Sequence, residues 1–202
     1  PEVNLFNTNP LSNILPYDGE AVYYGQMLSN KLAIYYFNEL MDTIQWQHDE
    51  VVLYGKRIIT KRKVAWYGDS EYKYAYSNTI KQALVWTSEL LELKNLIEAK
   101  TGEKFNSCLL NLYHTGEEGM TWHSDDEDSL GKNTVLASLS LGADRKFCFK
   151  HKYSKDSVST FLQKGSLLVM KGTTQTHWLH SLPKTTKVKS ARINLTFRTI
   201  VK

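Results

Sequence analysis

Arg192-Ile-Asn-Leu-Thr-Phe-Arg198 alternates without a break: Ile193, Leu195 and Phe197 are apolar, and Arg192, Asn194, Thr196 and Arg198 are polar. Period-two alternation marks a strand with one buried face, and the segment predicts a β-strand over 191–200. The other face sets two guanidiniums, an amide and a hydroxyl in a row. On an outer sheet surface such a row is a solvated ladder. In a pocket it is an anion site, because the arginine fork takes a carboxylate bidentately. The arginines lie about 20 Å apart at most, at ~3.3 Å per residue, and can bracket a small dicarboxylate.

The chain has 202 residues and a net charge of +4. Residues 1–156 hold 21 acids against 17 bases, whereas 157–202 hold eight Lys or Arg and no acid. That bias suits a polyanion or an anionic small molecule. Residues 117–128 are the mirror image, six acids in twelve positions with no Lys or Arg, and suit a cation. A composition 42% hydrophobic and 23% charged excludes a disordered or collagen-like chain. No run of 18 apolar residues offers a transmembrane helix, and residues 1–6 show no signal-peptide pattern. Cys108 and Cys148 are too few for a disulfide framework and read as reduced thiols of an intracellular protein.

Residues 1–28 read as loop. From Ser29-Asn30, Leu32, Tyr36, Leu40 and Ile44 recur at helical spacing behind a polar cap. A second helix is expected over 87–100, with Leu90, Leu93 and Ile97 on one face and Gly102 at its end. Strands are expected at 51–54, 57–60, 64–67, 105–113, 120–125, 134–141, 145–150, 158–163 and 166–171, before the last one. Two early helices followed by many short strands predict a single, mainly β domain with flanking helices.

His123-Ser-Asp125 supplies the first chemistry. In an extended segment, residues two apart share a face, so imidazole and carboxylate can meet one ion. Two histidines and a carboxylate on one side of an iron leave three positions open, as in non-haem Fe(II) oxygenases. The second histidine comes from His48, His114, His151, His177 or His180, and spacing alone does not choose. Asn111 and Tyr113, also two apart, could donate to the same anion as the arginine row.

The ordered set Asn111-x-Tyr113, His123-x-Asp125, His180 and Arg192-x-Asn194-x-Thr196-x-Arg198 resembles the AlkB family of Fe(II)- and 2-oxoglutarate-dependent dioxygenases. The likeness extends to 105–107, 123–127, 137–142 and 194–198, and is greatest to the branch that repairs alkylated nucleic acid bases. It implies a double-stranded β-helix, or jelly roll, at about 105–201, with a nucleotide-recognition flap at about 51–85. It implies His123, Asp125 and His180 as Fe(II) ligands. It also implies 2-oxoglutarate as the anion, held by Asn111, Tyr113, Arg192, Asn194, Thr196 and Arg198, with O2 as co-substrate. Which arginine takes which carboxylate stays open.

Residues 55–63 carry five bases and no acid, and Trp66, Tyr67, Tyr72, Tyr74 and Tyr76 follow. Bases for phosphate and aromatics for stacking are what a nucleic-acid groove needs. The resemblance makes Tyr76 the aromatic stacked on a flipped base, with Tyr74 nearby, and Glu127 the carboxylate on the methylated ring. Arg62 joins the substrate contacts. Residues 51–54 align with a hairpin that replaces an extruded base in duplex-acting members, with Tyr54 at its tip in place of a Phe. The implied activity is oxidative demethylation of 1-methyladenine or 3-methylcytosine in single- or double-stranded DNA, with RNA open, releasing formaldehyde, succinate and CO2. The alternatives are a 2-oxoglutarate hydroxylase acting on RNA, protein or a small molecule, and a binding module without turnover. The expectation is a monomer with no membrane partner, nuclear in a eukaryote or cytoplasmic in a bacterium.

Overall fold

The alternating segment 192–198 lies inside a large sheet, with a strand bonded along each edge. The computed structural model describes residues 11–53, 56–76 and 79–201, with backbone alone at 51–53, 56–57, 73–76 and 79–81. Along the chain run β1 (Glu20–Gln26), α1 (Asn30–Thr43), β2 (Gln47–Leu53), β3 (Lys56–Gly68), β4 (Lys73–Tyr76), β5 (Thr79–Gln82), β6 (Leu84–Val85) and α2 (Ser88–Thr101). Then follow β7 (Ser107–Tyr113), β8 (Met120–His123), β9 (Leu136–Gly142), β10 (Arg145–His151), β11 (Ser157–Leu162), β12 (Ser166–Lys171), α3 (Thr174–His177), β13 (Trp178–Leu182) and β14 (Arg192–Arg198).

The larger sheet has the order β1-β12-β9-β14-β7-β3-β2, antiparallel except for short β6 against β3, and the smaller has the order β11-β10-β13-β8. They face one another as a jelly roll. Leu136, Leu168 and Met170 of the larger sheet meet Phe149, Leu162 and Trp178 of the smaller between them. On the larger sheet's other side, Ile193, Leu195 and Phe197 pack with Tyr36 and Leu40 of α1 and Leu90, Leu93 and Ile97 of α2. The polar row of β14 therefore faces inward between the sheets, where Arg192 is 2% and Arg198 8% exposed. The solvated-ladder reading is thereby excluded. No helix among the described residues is long and apolar enough to cross a membrane.

Both expected helices form behind hydroxyl caps. Ser29 Oγ accepts Leu32 N–H, Thr87 Oγ1 accepts Leu90 N–H, and Gly102 closes α2 at a φ of 77°. In α1 the buried stripe is Ala33, Tyr36 and Leu40, and Leu32 is 44% exposed, one position off the expected face. Residues 20–26, read as loop, form β1 on the sheet edge; a register shift between Tyr23 and Gly25 breaks the alternation that would have announced a strand. The expected strands 57–60 and 64–67 are one strand, β3, running through the basic stretch. The strand expected at 120–125 stops at His123, so Asp125 lies beyond it. β13, which bears His180, was not expected.

Candidate active site

His123 and His180 are set against each other by strand register: β8 pairs with β13, and His123 lies opposite His180. Asp125 joins them from the loop after β8, with Oδ1 3.8 Å from His123 Nε2 and Oδ2 3.9 Å from His180 Nε2. The donor atoms of the three residues all lie within 4.8 Å of one another. Extended geometry, the expected reason for the convergence, is not its cause. Instead Asp125 N–H donates to Gln175 Oε1 of α3 at 2.9 Å.

The protonation pattern suits a metal. Thr121 carbonyl lies 2.8 Å from His123 Nδ1 and can only accept, so Nδ1 carries the proton and Nε2 keeps its lone pair toward Asp125. Burial pushes His180 down to about 4, which keeps it neutral and able to ligate. Phe147 stacks on the His180 ring at 5.5 Å, and Phe149 meets it edge-on at 6.4 Å. Two imidazoles and a carboxylate, one imidazole sealed by aromatics, fit Fe(II).

The other histidines lie apart from the triad. His48 Nδ1 pairs with the Thr60 carbonyl and His114 with Glu118. Asp18, His151 and His177 form a second convergent group. There, Ser154 N–H donates to His151 Nδ1 at 3.1 Å, so the neutral ring bears its proton on Nε2, 3.4 Å from Asp18 Oδ2. A ring in that tautomer has no lone pair to offer at Nε2. The group clamps residues 17–18, helped by Trp178 Nε1 donating to the Tyr17 carbonyl and by Tyr17 bonding to Asp156. The acidic stretch divides in the same way. Glu117 meets Lys189, Glu118 meets His114 and Asp126 meets Lys152, and Asp128 opens the short turn 128–130, leaving Asp125 and Glu127 for the site.

Sheet register assembles the anion residues. Arg192 lies opposite Tyr113 and Asn194 opposite Asn111. Arg192 Nη2 donates to Ser140 Oγ (3.0 Å) and to Asn194 Oδ1 (2.8 Å), and Asn194 Nδ2 donates to Thr196 Oγ1 (2.8 Å). Neither Arg192 nor Arg198 meets a carboxylate among the described residues, and the Nε of each is buried without a partner. Burial lowers Arg192 to about 10. Two sequestered guanidiniums with no ion-pair partner among the described residues call for an anionic ligand. Glu127 joins the two halves. Its carboxyl is raised by burial and by Asp125, while Arg198 opposes the shift, and its Oε2 is buried with no partner.

Arg62 is itself buried. It pairs with Asp49 and donates to Asn111 Oδ1, so it reaches the back of the anion residues and leaves Asn111 Nδ2 as the donor. Tyr67 is core, and Trp66 donates to Ser107 Oγ and stacks on Tyr72, so these rings pack and do not form an open stacking platform. Tyr74 and Tyr76 fall on one face of the separate β4–β5 hairpin by backbone register. Tyr54 lies outside the described residues. Sequence reading missed Gln175 and Arg145. Arg145 is buried, donates to the carbonyls of Glu118 and Pro183 at 2.9 Å each, and covers the Tyr113 ring opposite Arg192. As the first residue of a strand, it carried no signal of that role.

The model of the 2OG-Fe(II) oxygenase superfamily matches residues 20–198. The chain is 38% identical over 173 residues to alpha-ketoglutarate-dependent dioxygenase alkB homolog 3 of Bos taurus, covering 81% of this chain and 60% of that one. It is 38% identical over 159 residues to DNA oxidative demethylase ALKBH2 of Homo sapiens, covering 75% and 61%. The chain thus spans about six tenths of the length of these curated relatives. A solved structure titled "The structure of OsALKBH1" superposes with a TM-score of 0.57 at 15% identity, over 88% of this chain and 97% of that one, a likeness of fold. With the His123–Asp125–His180 triad and the buried arginine row, these matches make the chain a member of the AlkB family within the 2OG-Fe(II) oxygenase superfamily.

Proposed function

We propose that this chain removes N-methyl groups from 1-methyladenine and 3-methylcytosine in DNA by Fe(II)- and 2-oxoglutarate-dependent oxidation. The observation that carries the reading is the pair of buried guanidiniums with no ion-pair partner among the described residues, on the inner face of the larger sheet, with Glu127 acted on by both Arg198 and the triad's Asp125. The names of the relatives, a dioxygenase and a DNA oxidative demethylase, support the same reaction class. Bound Fe(II) and 2-oxoglutarate would supply the oxidising power, with O2, to hydroxylate the methyl carbon, yielding succinate, CO2 and, as the methyl leaves, formaldehyde.

The chain's own residues bind, orient and exclude water. His123, Asp125 and His180 would hold the metal. Arg192, Arg198, Asn111, Tyr113, Asn194 and Thr196 hold the 2-oxoglutarate carboxylates, with Arg62 fixing the Asn111 amide and Ser140 bracing Arg192. Phe147 and Phe149 keep the His180 side dry. Glu127 faces the methylated ring, whose positive charge suits a carboxyl with a buried, partnerless Oε2. Residues 51–85 act as the flap over the nucleotide, with Tyr76 and Tyr74 stacking on the base and Tyr54 as a further substrate contact. A lesion that blocks pairing is cheaper to extrude, which adds selectivity before the pocket is reached.

The test is demethylation of 3-methylcytosine in matched single- and double-stranded oligonucleotides, read by mass spectrometry with Fe(II), 2-oxoglutarate and ascorbate. Loss of the methyl group from either strand form supports the reading. Succinate without any mass change overturns the DNA substrate and directs the search to RNA, protein or small molecules.

A further inference from the structure

We infer that Gln175 is a positioning residue for the metal ligand Asp125, tying the one ligand outside the sheet to the segment that carries His180. The inference rests on the triad being the metal site. His123 and His180 are fixed by β8–β13 register, whereas Asp125 lies past the end of β8. Among the described residues, the loop 124–126 makes no backbone–backbone bond of its own. Its backbone is held by Asp125 N–H donating to Gln175 Oε1 at 2.9 Å, across 50 residues of sequence.

Gln175 is built for that contact. It is 5% exposed, unusual for a glutamine. Among the described residues its Nε2 meets the Met170 sulfur, at 3.7 Å, so the amide oxygen carries the strong contact. Its own carbonyl accepts Lys152 Nζ at 2.8 Å, and that ammonium also lies 3.6 Å from Asp126. Lys152 and Gln175 thus grip both ends of the Asp125-Asp126 pair, from β10's end and from α3. Because α3 runs directly into β13, a shift of this segment would move Asp125 and His180 together. Partners that orient a metal ligand are worth about 10–100-fold in metal affinity.

The experiment is calorimetric titration of metal-free protein with Mn2+ in the presence of 2-oxoglutarate, alongside thermal unfolding of the metal-free form. Gln175→Met keeps length and volume but removes the acceptor, and should weaken Mn2+ about tenfold or more while the metal-free unfolding midpoint stays close to wild type. Gln175→Glu keeps an acceptor oxygen and should retain most of the affinity. Wild-type affinity in Gln175→Met overturns the proposal, as does equal weakening in the Glu variant. Should the Met variant fail to fold, Gln175→Asn, which withdraws the amide by one methylene, must show the loss, and wild-type affinity there overturns the proposal too. A wild-type protein that binds no Mn2+ overturns the metal site itself, a separate outcome read before any variant.

Discussion

The rings of His123 and His180 meet edge-on, 4.2 Å between centroids, because the two residues are partners across β8 and β13. The spacing of two donors is thus a property of the sheet. His177 lies before the strand, at the end of α3, stacked at 6.1 Å on His151. His180→Ala should therefore abolish both Mn2+ binding and turnover, while His177→Ala keeps most of each. Calorimetry on the two variants checks this, and the reverse order would transfer the ligand role to His177.

The arginine row predicts ligand-linked stability. A ligand at a hundredfold excess over its Kd stabilises the fold by about 2.7 kcal/mol, which at this size raises Tm by roughly 5–10 °C. 2-Oxoglutarate added with Mn2+ should produce that rise by neutralising guanidiniums that meet no carboxylate among the described residues. Arg198→Ala should erase most of it and raise the 2-oxoglutarate needed for half-maximal turnover sharply. An unchanged requirement would remove Arg198 from the anion site.

Acid should weaken the metal-free protein through His180. Burial lowers its folded pKa to about 4, against about 6.5 in an unfolded chain. Below pH 6.5 the unfolded state takes up a proton that the folded state refuses, so stability falls as pH drops from about 6.5 to 4 and is complete above that window. The span amounts to roughly 3 kcal/mol. Urea midpoints of the metal-free protein between pH 4 and 7 should show the slope, and His180→Asn should flatten it.

Legibility followed the length of the periodic signal. β14 could be read from its sequence because seven residues alternate without a break, and α2 because Leu90, Leu93 and Ile97 sit beside clear caps. β1 was hidden by its register shift at Tyr23–Gly25. β13 was hidden because its residues Trp178–Leu182 are nearly all buried, on both faces of the strand, so no alternation survives. The triad could be found through its motif, yet the reason for its geometry could not. Asp125 is placed by a glutamine 50 residues away, a contact that local spacing does not encode. Arg62 is the converse case: five bases in nine residues suggested a groove, and only tertiary packing turns this one toward Asp49 and Asn111.

Glu127→Gln should separate substrate recognition from the rest of the site. The carboxyl has no partner at Oε2, and the substitution keeps its shape while removing its charge. Hydrogen bonds to charged groups are worth about 1.5–3 kcal/mol, so kcat/KM on a methylated oligonucleotide should fall about 10–100-fold. Binding of Mn2+ and 2-oxoglutarate should remain near wild type. A parallel loss of 2-oxoglutarate affinity would instead place Glu127 in the anion site.

Gly142 should be far harder to replace than Gly25. Both have positive φ, +81° and +68°, so an alanine at either site is strained, by about 1–2 kcal/mol. A Cβ at Gly25 meets nothing within 4 Å, whereas one at Gly142 falls 2.4 Å from the Ala191 carbonyl and 2.7 Å from Phe37. Ala191 precedes Arg192, and Gly142 pairs with Arg192 across β9 and β14. Relief of the clash must therefore move the strand that carries the first guanidinium. Urea unfolding should show Gly25→Ala losing about 1–2 kcal/mol and Gly142→Ala clearly more. Only Gly142→Ala should also weaken 2-oxoglutarate binding. Equal losses in the two variants, with affinity intact, would mean that β14 can shift without disturbing Arg192.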